Sequence, residues 1–447
     1  MVGSVSGDAS GPVVILGGGL AGLSTALHLP AGTPWLIAER DQRVGGKARS
    51  HRRDGYTFDV TGHWLHLRDD RVRALVDDLF APGDLVEIER RTGVWVHDTM
   101  LPYPFQANLH GLPLAIVQQC LVGFVQAQVE AASPDARPPR TFGEFARQRF
   151  GNGIAEHFFI PYNTKLWGMS PDELTADWVQ RFVPIPDVAQ VVGGALGVVQ
   201  EGLGYNAHFL YPRAGGIDAL PEAMAQRLAG RDDGRVRLQT AVEAIDVVRR
   251  RVRLAGDDDW LPYGELVSTI PLPALVGAIG DVPDAVREAV GRLRCVPWRW
   301  LDVATTTPPP IAEHWVYVPA MDVPFFRVGV YSNAWPPMAP PGGGSLYVEL
   351  SDRQGAPDID AILGHLADMG AISAPEDVAF VQQRDIACAY VIFDDAHASA
   401  TDTIFAWLRE VGVHTCGRYG AWTYNSMEDA IVAGMEAAQW ASERVPS

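Results

Sequence analysis

The period of the hydrophobic positions changes several times along the chain. Residues 13–16 (VVIL) form a short unbroken apolar run of the buried-strand type. Apolar residues at helical spacing follow in LSTALHL (23–29), and a second strand-like run, WLIA, leads into Glu39. Over 108–202 the apolar residues recur at three- and four-residue steps, as in PLAIVQQCLVGFVQAQVEAA (113–132) and TFGEFARQRFG (141–151). This predicts a helical unit in which SPDARPPR (133–140) links two helices. Aromatic and β-branched strand patterns dominate VWVHDTMLPYPF (94–105), HFLYP (208–212), HWVYVP (314–319), FFRVGVYSN (325–333) and SLYVELS (345–351). They predict an antiparallel β-sheet unit drawn from 86–107, 203–213 and 296–401, with PPMAPPGGGS (336–345) as a loop inside it. The stretch 214–295 opens on a helical pattern and continues as short strands.

The turn between the first strand and the first helix carries chemistry. Gly17-Gly18-Gly19-Leu20-Ala21-Gly22 is GxGxxG with a strand before it and a helix after it. Gly17 allows the tight turn, Gly19 lets backbone approach a pyrophosphate, and Gly22 lets helix and strand pack closely. Leu20 and Ala21 open the helix whose N-terminus faces the phosphates. Glu39 ends the second strand where an acidic side chain binds a ribose hydroxyl. These features predict a Rossmann-type α/β domain assembled from 1–66, 214–295 and 402–447.

Composition narrows the partners. The chain has 447 residues, enough for two or three packed units. A formal charge of −18 argues against nucleic-acid backbones and anionic membranes. A small anionic ligand would need a local arginine cluster working against that field. No apolar run approaches the roughly 20 residues of a bilayer span, and the first residues lack a signal-peptide pattern. Cys120, Cys295, Cys388 and Cys416 form no CxxC pair, so neither a zinc site nor a disulfide is expected, and a cytoplasmic setting fits. His63 and His66 lack an evident third ligand, so no metal is expected.

Past Glu39 the chain reads RDQRVGGKAR, with Arg40, Gly45, Gly46, Lys47 and Arg49, then DGYTFDVTGHWLH with Asp59, Gly62 and His63. This resembles the second fingerprint and flavin-side segment of the amine oxidase-like FAD flavoproteins. CGRYGAWTYNSMEDAIVAGMEAA near the C-terminus, with Gly417 and a helix starting near Met427, resembles the element that returns to FAD in that superfamily. Narrower blocks resemble the UDP-galactopyranose mutase family in its eukaryotic-type branch. They are LPYPFQANLHGLP (101–113), NTKLWGMSPDELTADWVQR (163–181), GYNAHFLYPRAGGIDAL (204–220), HWVYVPAMDVPFFRVGVYSN (314–333) and GRYGAWTY (417–424).

That resemblance implies interconversion of the pyranose and furanose rings of a UDP-galactose-like nucleotide-diphosphate sugar. In that family reduced FAD attacks the anomeric carbon through N5, with no net redox change. NAD(P)H is a candidate reductant. The resemblance assigns Arg327 and Arg418 to the diphosphate–sugar region, a role guanidinium forks suit. It assigns Tyr317, Tyr390 and Tyr424 to the phosphates, Tyr103, Phe105 and Gln106 to the uracil, and Asn163 and Trp167 to the nucleotide ribose. Arg181, Asn206 and Trp315 fall on the sugar side, and His63 beside the flavin. Ala334 stands where the family often has a tyrosine, and a Pro- and Gly-rich loop follows, which leaves the sugar and the base open. The competing expectation is an FAD-dependent oxidase or dehydrogenase of the amine oxidase-like superfamily.

Overall fold

The protein is described by a computed structural model covering residues 11–176, 179, 183–198, 207–351 and 355–444. Three distant stretches build one five-stranded sheet, in the order Val413–Thr415, Glu265–Ser268, Val13–Leu16, Trp35–Ala38, Gly234–Arg237. Every pair in it is parallel. Three of its strands, Val13–Leu16, Trp35–Ala38 and Glu265–Ser268, are buried at every residue. That is why Val13–Leu16 and Trp35–Ala38 read as unbroken apolar runs and not as alternating ones, while Glu265–Ser268 carries a buried acid and a buried serine at its ends.

Helix Leu20–His28 follows the first strand, and the C-terminal helix Met427–Ser442 lies against it. Their approach is close: a Cβ on Gly434 would sit 2.4 Å from the Ala21 carbonyl oxygen. Ser24 Oγ donates to the Ile431 carbonyl at 2.7 Å. Ser426 and Asp429 form a reciprocal capping box that starts the C-terminal helix at the boundary the sequence suggested.

A second sheet of seven strands runs in the order Val378–Val391, Cys295–Thr305, Gly344–Leu350, Phe325–Val330, Trp315–Tyr317, Thr92–Val96, Thr99–Pro102. Its pairs are antiparallel except Trp315–Tyr317 with Thr92–Val96, which run parallel. The strands Leu85–Glu89 and His208–Pro212 pair in a ladder of their own. Side chains alternate across the large sheet with period two. Val316, Val328, Leu346 and Val348 pack on one face with Ile362 and Leu366 of helix Ile359–Asp368. Trp315, Tyr317, Arg327, Tyr347 and Glu349 occupy the alternate positions. The functional candidates therefore share the face turned away from that helix.

Helices Leu114–Ala131, Phe142–Ile154 and Ile160–Trp167, with a π-helical turn at Ala155–Phe159, form the helical unit between the sheets in sequence. Among the described residues, Leu114–Ala131 is long and apolar enough to cross a membrane by length and composition, with mean hydropathy 1.2 and 17% of it buried. Its buried stripe, Cys120, Phe124 and Ala127, belongs to the helix's packing against Phe142–Ile154.

The structure corrects one expectation about cysteines. Cys295 and Cys388 are joined as a disulfide across the two longest strands, with Cα atoms 5.5 Å apart. Their separation of 93 residues hid the pairing, which the neighbouring of these two strands creates. Cys120 and Cys416 are free and buried.

Candidate active site

The glycine turn lies at the carboxyl end of the central parallel strand, where open α/β sheets bind ligands. Gly17 has φ +101°, and a Cβ there would fall 2.4 Å from Thr269 Oγ1, so both backbone and neighbour require glycine. A Cβ on Gly19 would meet only the Gly46 Cα, at 3.8 Å. The space in front of Gly19 is thus open and bounded by the second fingerprint, which fits a pyrophosphate pressed against backbone. Glu39 is buried, and its oxygens accept from Gly18 N at 2.7 Å and Asp41 N at 2.8 Å. Each oxygen keeps acceptor capacity for a ribose hydroxyl. A cavity of about 700 Å³ opens at the second fingerprint, lined by Arg40, Arg43, Gly46, Lys47 and Arg49 and also by Asp41 and Asp385.

The charges of Arg418 and Lys47 act on His63, and that of Arg418 on Lys47, which brings the second fingerprint, the Gly62-His63 loop and the C-terminal element to one place. Burial pushes the His63 imidazole down to about 4, so the ring is neutral at ordinary pH. Burial likewise lowers the Lys47 ammonium. Gly417 sits against the fingerprint helix, since a Cβ there would lie 2.9 Å from Ala21 Cβ. Arg418 therefore springs from a turn docked on the cradle itself. His63 Nδ1 and Arg418 Nε are buried without a hydrogen-bond partner among the described residues. These orphaned groups and the open cradle fit a bound FAD.

Next to Arg418 is a second cavity, of about 160 Å³. Eight of the residues singled out in the sequence line it: Tyr103, Gln106, Asn163, Trp167, Tyr317, Arg327, Tyr390 and Tyr424. The Arg418 guanidinium lies 4.4 Å from the Tyr390 ring centre and 4.9 Å from that of Tyr424, and those two rings stack at 5.2 Å. Arg327 is in a different electrostatic state. Its Nε is bonded to Glu349 Oε2, and its Nη2 donates to Glu349 Oε1 at 2.9 Å. Glu349 is fully buried and is the direct cross-strand neighbour of Arg327. One carboxylate thus fixes the fork and compensates its charge, leaving Nη1 outside that bidentate contact. Among the described residues no carboxylate is ion-paired with Arg418.

The nucleotide-side candidates are organised by short local contacts. Asn163 Nδ2 donates to Phe159 O at 2.8 Å, and its Oδ1 accepts from Trp167 Nε1 at 3.2 Å, one helical turn on. Gln106 Nε2 donates to Pro184 O at 2.7 Å, which leaves Oε1 buried and unpartnered among the described residues. Tyr103 and Tyr317 face each other at 5.2 Å between ring centres.

Two candidates sit behind the walls. Phe105 is 0% exposed, because the short helical turn Phe105–Ala107 directs it into the core, where it stacks on the wall residue Phe158 at 5.3 Å. Trp315 stacks on Trp64 at 6.2 Å, outside the lining of this cavity. Arg181 and Asn206 lie outside the described residues.

Sequence reasoning missed Glu349, Tyr162, Phe158 and Trp298. Tyr162 and Phe158 line the cavity, and Trp298 packs at 4.5 Å from Tyr390 and 5.7 Å from the Arg327 guanidinium. Glu349 had a signal, a lone acid inside the apolar strand LYVEL, because a buried carboxylate demands a partner.

Comparison with known proteins follows this geometry. Curated relatives include the coproporphyrinogen III oxidase of Propionibacterium freudenreichii, 29% identical over 198 residues, which are 39% of this chain and 37% of the relative. A putative flavin-containing monoamine oxidase of Mycobacterium tuberculosis is 25% identical over 285 residues, 61% of this chain and 59% of the relative. The chain thus matches between 37% and 59% of the length of these two relatives. Among solved structures, reduced UDP-galactopyranose mutase superposes with a TM-score of 0.87 at 24% identity, covering 96% of this chain and 95% of that one. Putrescine oxidase bound to putrescine gives 0.67 at 16% identity, over 97% and 99%. At such identities the likeness to both structures is one of fold. The model of the flavin containing amine oxidoreductases matches residues 20–441, nearly the whole chain, and the protein belongs to that family.

Proposed function

We propose that this flavoprotein is a nucleotide-sugar mutase that interconverts pyranose and furanose forms of a UDP-galactose-like substrate without net redox change. The observation that carries the reading is an aromatic cavity beside the dinucleotide cradle that Arg327 lines, and two of whose lining rings, Tyr390 and Tyr424, hold the Arg418 guanidinium at 4.4 and 4.9 Å. Glu349 compensates Arg327, so the cation that favours an anion there is Arg418, with which no carboxylate is ion-paired among the described residues.

The residues divide the work. Tyr103, Phe158 and Tyr162 offer π-faces and exclude water around a base. Gln106 Oε1 offers an acceptor whose direction the Pro184 bond fixes, matching a base edge that donates an N–H. Arg418, with no carboxylate ion-paired to it among the described residues, and the Nη1 of Arg327, which lies outside the bidentate contact with Glu349, hold the diphosphate and stabilise the charge on it as the glycosidic bond breaks. Neutral His63 orders the loop at the ring end of the cradle and exchanges a hydrogen bond there without adding charge. Bound and reduced, FAD would supply a nucleophilic N5 for the anomeric carbon and leave the cycle unchanged. NAD(P)H is the reductant we propose to deliver that state.

A flavin oxidase is the second reading, favoured by the oxidases among the sequence relatives. The two separate in one experiment. Protein reduced with dithionite is incubated with UDP-galactose and a panel of other nucleotide sugars, and the products are resolved by chromatography. A ring-contracted product is expected. No such product with any donor, together with oxygen consumption on an amine, would refute the mutase reading.

A further inference from the structure

Lys165 is 4% exposed, yet it sits on helix Ile160–Trp167 between Asn163 and Trp167, which both line the nucleotide-side cavity. Its Nζ donates to the Val318 carbonyl at 3.0 Å and to the Ala320 carbonyl at 2.6 Å. Those carbonyls directly follow strand Trp315–Tyr317, whose Tyr317 lines the facing wall. The two walls also meet through rings, as in Tyr162 against Tyr317 with centres 5.2 Å apart. Ring contacts tolerate sliding, whereas a cation held by two carbonyls fixes both distance and direction. Burial pulls the Lys165 ammonium down to about 7, opposed by the charge of Asp322, so holding a cation here costs free energy that the carbonyl bonds must offset.

We propose that Lys165 is a positioning residue: its bridge sets the spacing of the two cavity walls and through it the affinity for the nucleotide half of the substrate. The inference rests on the nucleotide-sugar reading given above. It concerns a residue that touches no substrate, so its effect falls on KM and leaves kcat.

The test compares wild type with Lys165→Met, which keeps the length of the stem and removes the donors. Flavin absorbance and thermal midpoint report folding. UDP affinity comes from calorimetry, KM and kcat from turnover, and amide hydrogen exchange is followed over 160–167 and 315–320 without ligand. Expected are an increase of about tenfold in UDP Kd and in KM, kcat within twofold of wild type, and faster exchange in both wall segments. A flavin-loaded variant with wild-type Kd, KM and exchange would overturn the bridge. So would faster exchange with unchanged affinity. If Lys165→Met fails to fold, Lys165→Gln is read by the same criteria. A wild-type protein that ignores UDP refutes the nucleotide-sugar reading instead, and the exchange rates still decide whether Lys165 couples the walls.

Discussion

Replacing Arg418 by methionine isolates the anion-binding role with the least collateral damage. Its guanidinium is held by the rings of Tyr390 at 4.4 Å and Tyr424 at 4.9 Å and by a long bond from Nη1 to the Asn425 carbonyl at 3.4 Å. Two such cation–π contacts are worth about 1–2 kcal/mol together. Methionine keeps much of the packing, and the substitution also removes a buried charge whose Nε has no partner among the described residues. The folded state should therefore lose no more than about 2 kcal/mol. The ligand loses much more in relative terms. Charge-assisted hydrogen bonds contribute about 1.5–3 kcal/mol, which is about 10- to 150-fold in Kd. Calorimetric titration of the FAD-loaded variant with UDP reads this directly, and the flavin spectrum reports that the cradle is intact. A variant that keeps its flavin and binds UDP within threefold of wild type would refute the assignment of Arg418 to the diphosphate. Arg327→Ala is the poorer probe, because it strands Glu349 in the core without its partner.

The Glu349–Arg327 pair makes its own prediction: Glu349→Ala should cost about 3–5 kcal/mol of stability, read by urea unfolding, while a double variant replacing both residues by apolar ones should recover most of it. Unchanged stability in Glu349→Ala would contradict the buried pairing. Gly19→Val should yield a folded protein without bound FAD, because its side chain fills the space that only Gly46 borders; a fully yellow variant would sink the cradle. Acid stability follows from histidines that are wholly or partly shielded from water. His51, His63, His66 and His314 are each lowered to about 4, so the unfolded chain binds protons that the folded one refuses. Their stabilising contribution is complete above the unfolded value near 6.5 and is lost as pH falls toward 4. Each adds up to about 1.4 kcal/mol per pH unit to the slope in that window, and His63→Gln should remove one such share from the pH dependence of urea unfolding. An unaltered slope would place the His63 proton elsewhere.

The cradle was legible because its chemistry is local. GxGxxG, the strand before it and Glu39 lie within one βαβ unit, and each glycine answers a constraint set by atoms close in sequence or by one neighbouring strand. The cavity walls were legible only through resemblance, since nothing in the spacing of Tyr103, Asn163, Tyr317 and Tyr390 says that they meet. Phe105 illustrates the failure of pattern alone. An aromatic beside a proline reads equally well as wall or core, and the turn at Phe105–Ala107 settled it as core while Phe158 took the surface. The disulfide was illegible for the same reason as the Glu349 contact, because both depend on which strands are neighbours and in what register.

Register also explains why the two arginines are not equivalent, a distinction that motif matching could not draw. Arg327 stands on a strand, so its neighbour is dictated by pairing, and the residue opposite is a carboxylate that immobilises it before any ligand arrives. Arg418 stands on a turn docked against the fingerprint helix and is surrounded by rings, which tolerate a cation without neutralising it. The first arginine is preorganised and charge-compensated, and the second brings net charge. A diphosphate entering between them would find its direction fixed by the Arg327 fork and most of its attraction supplied by Arg418. On this argument Glu349→Gln, which keeps the shape of the pair and removes its negative charge, should tighten UDP binding, whereas Arg418→Met should weaken it. Weaker binding in both variants would mean that orientation of Arg327, and not the charge balance of the cavity, governs recognition.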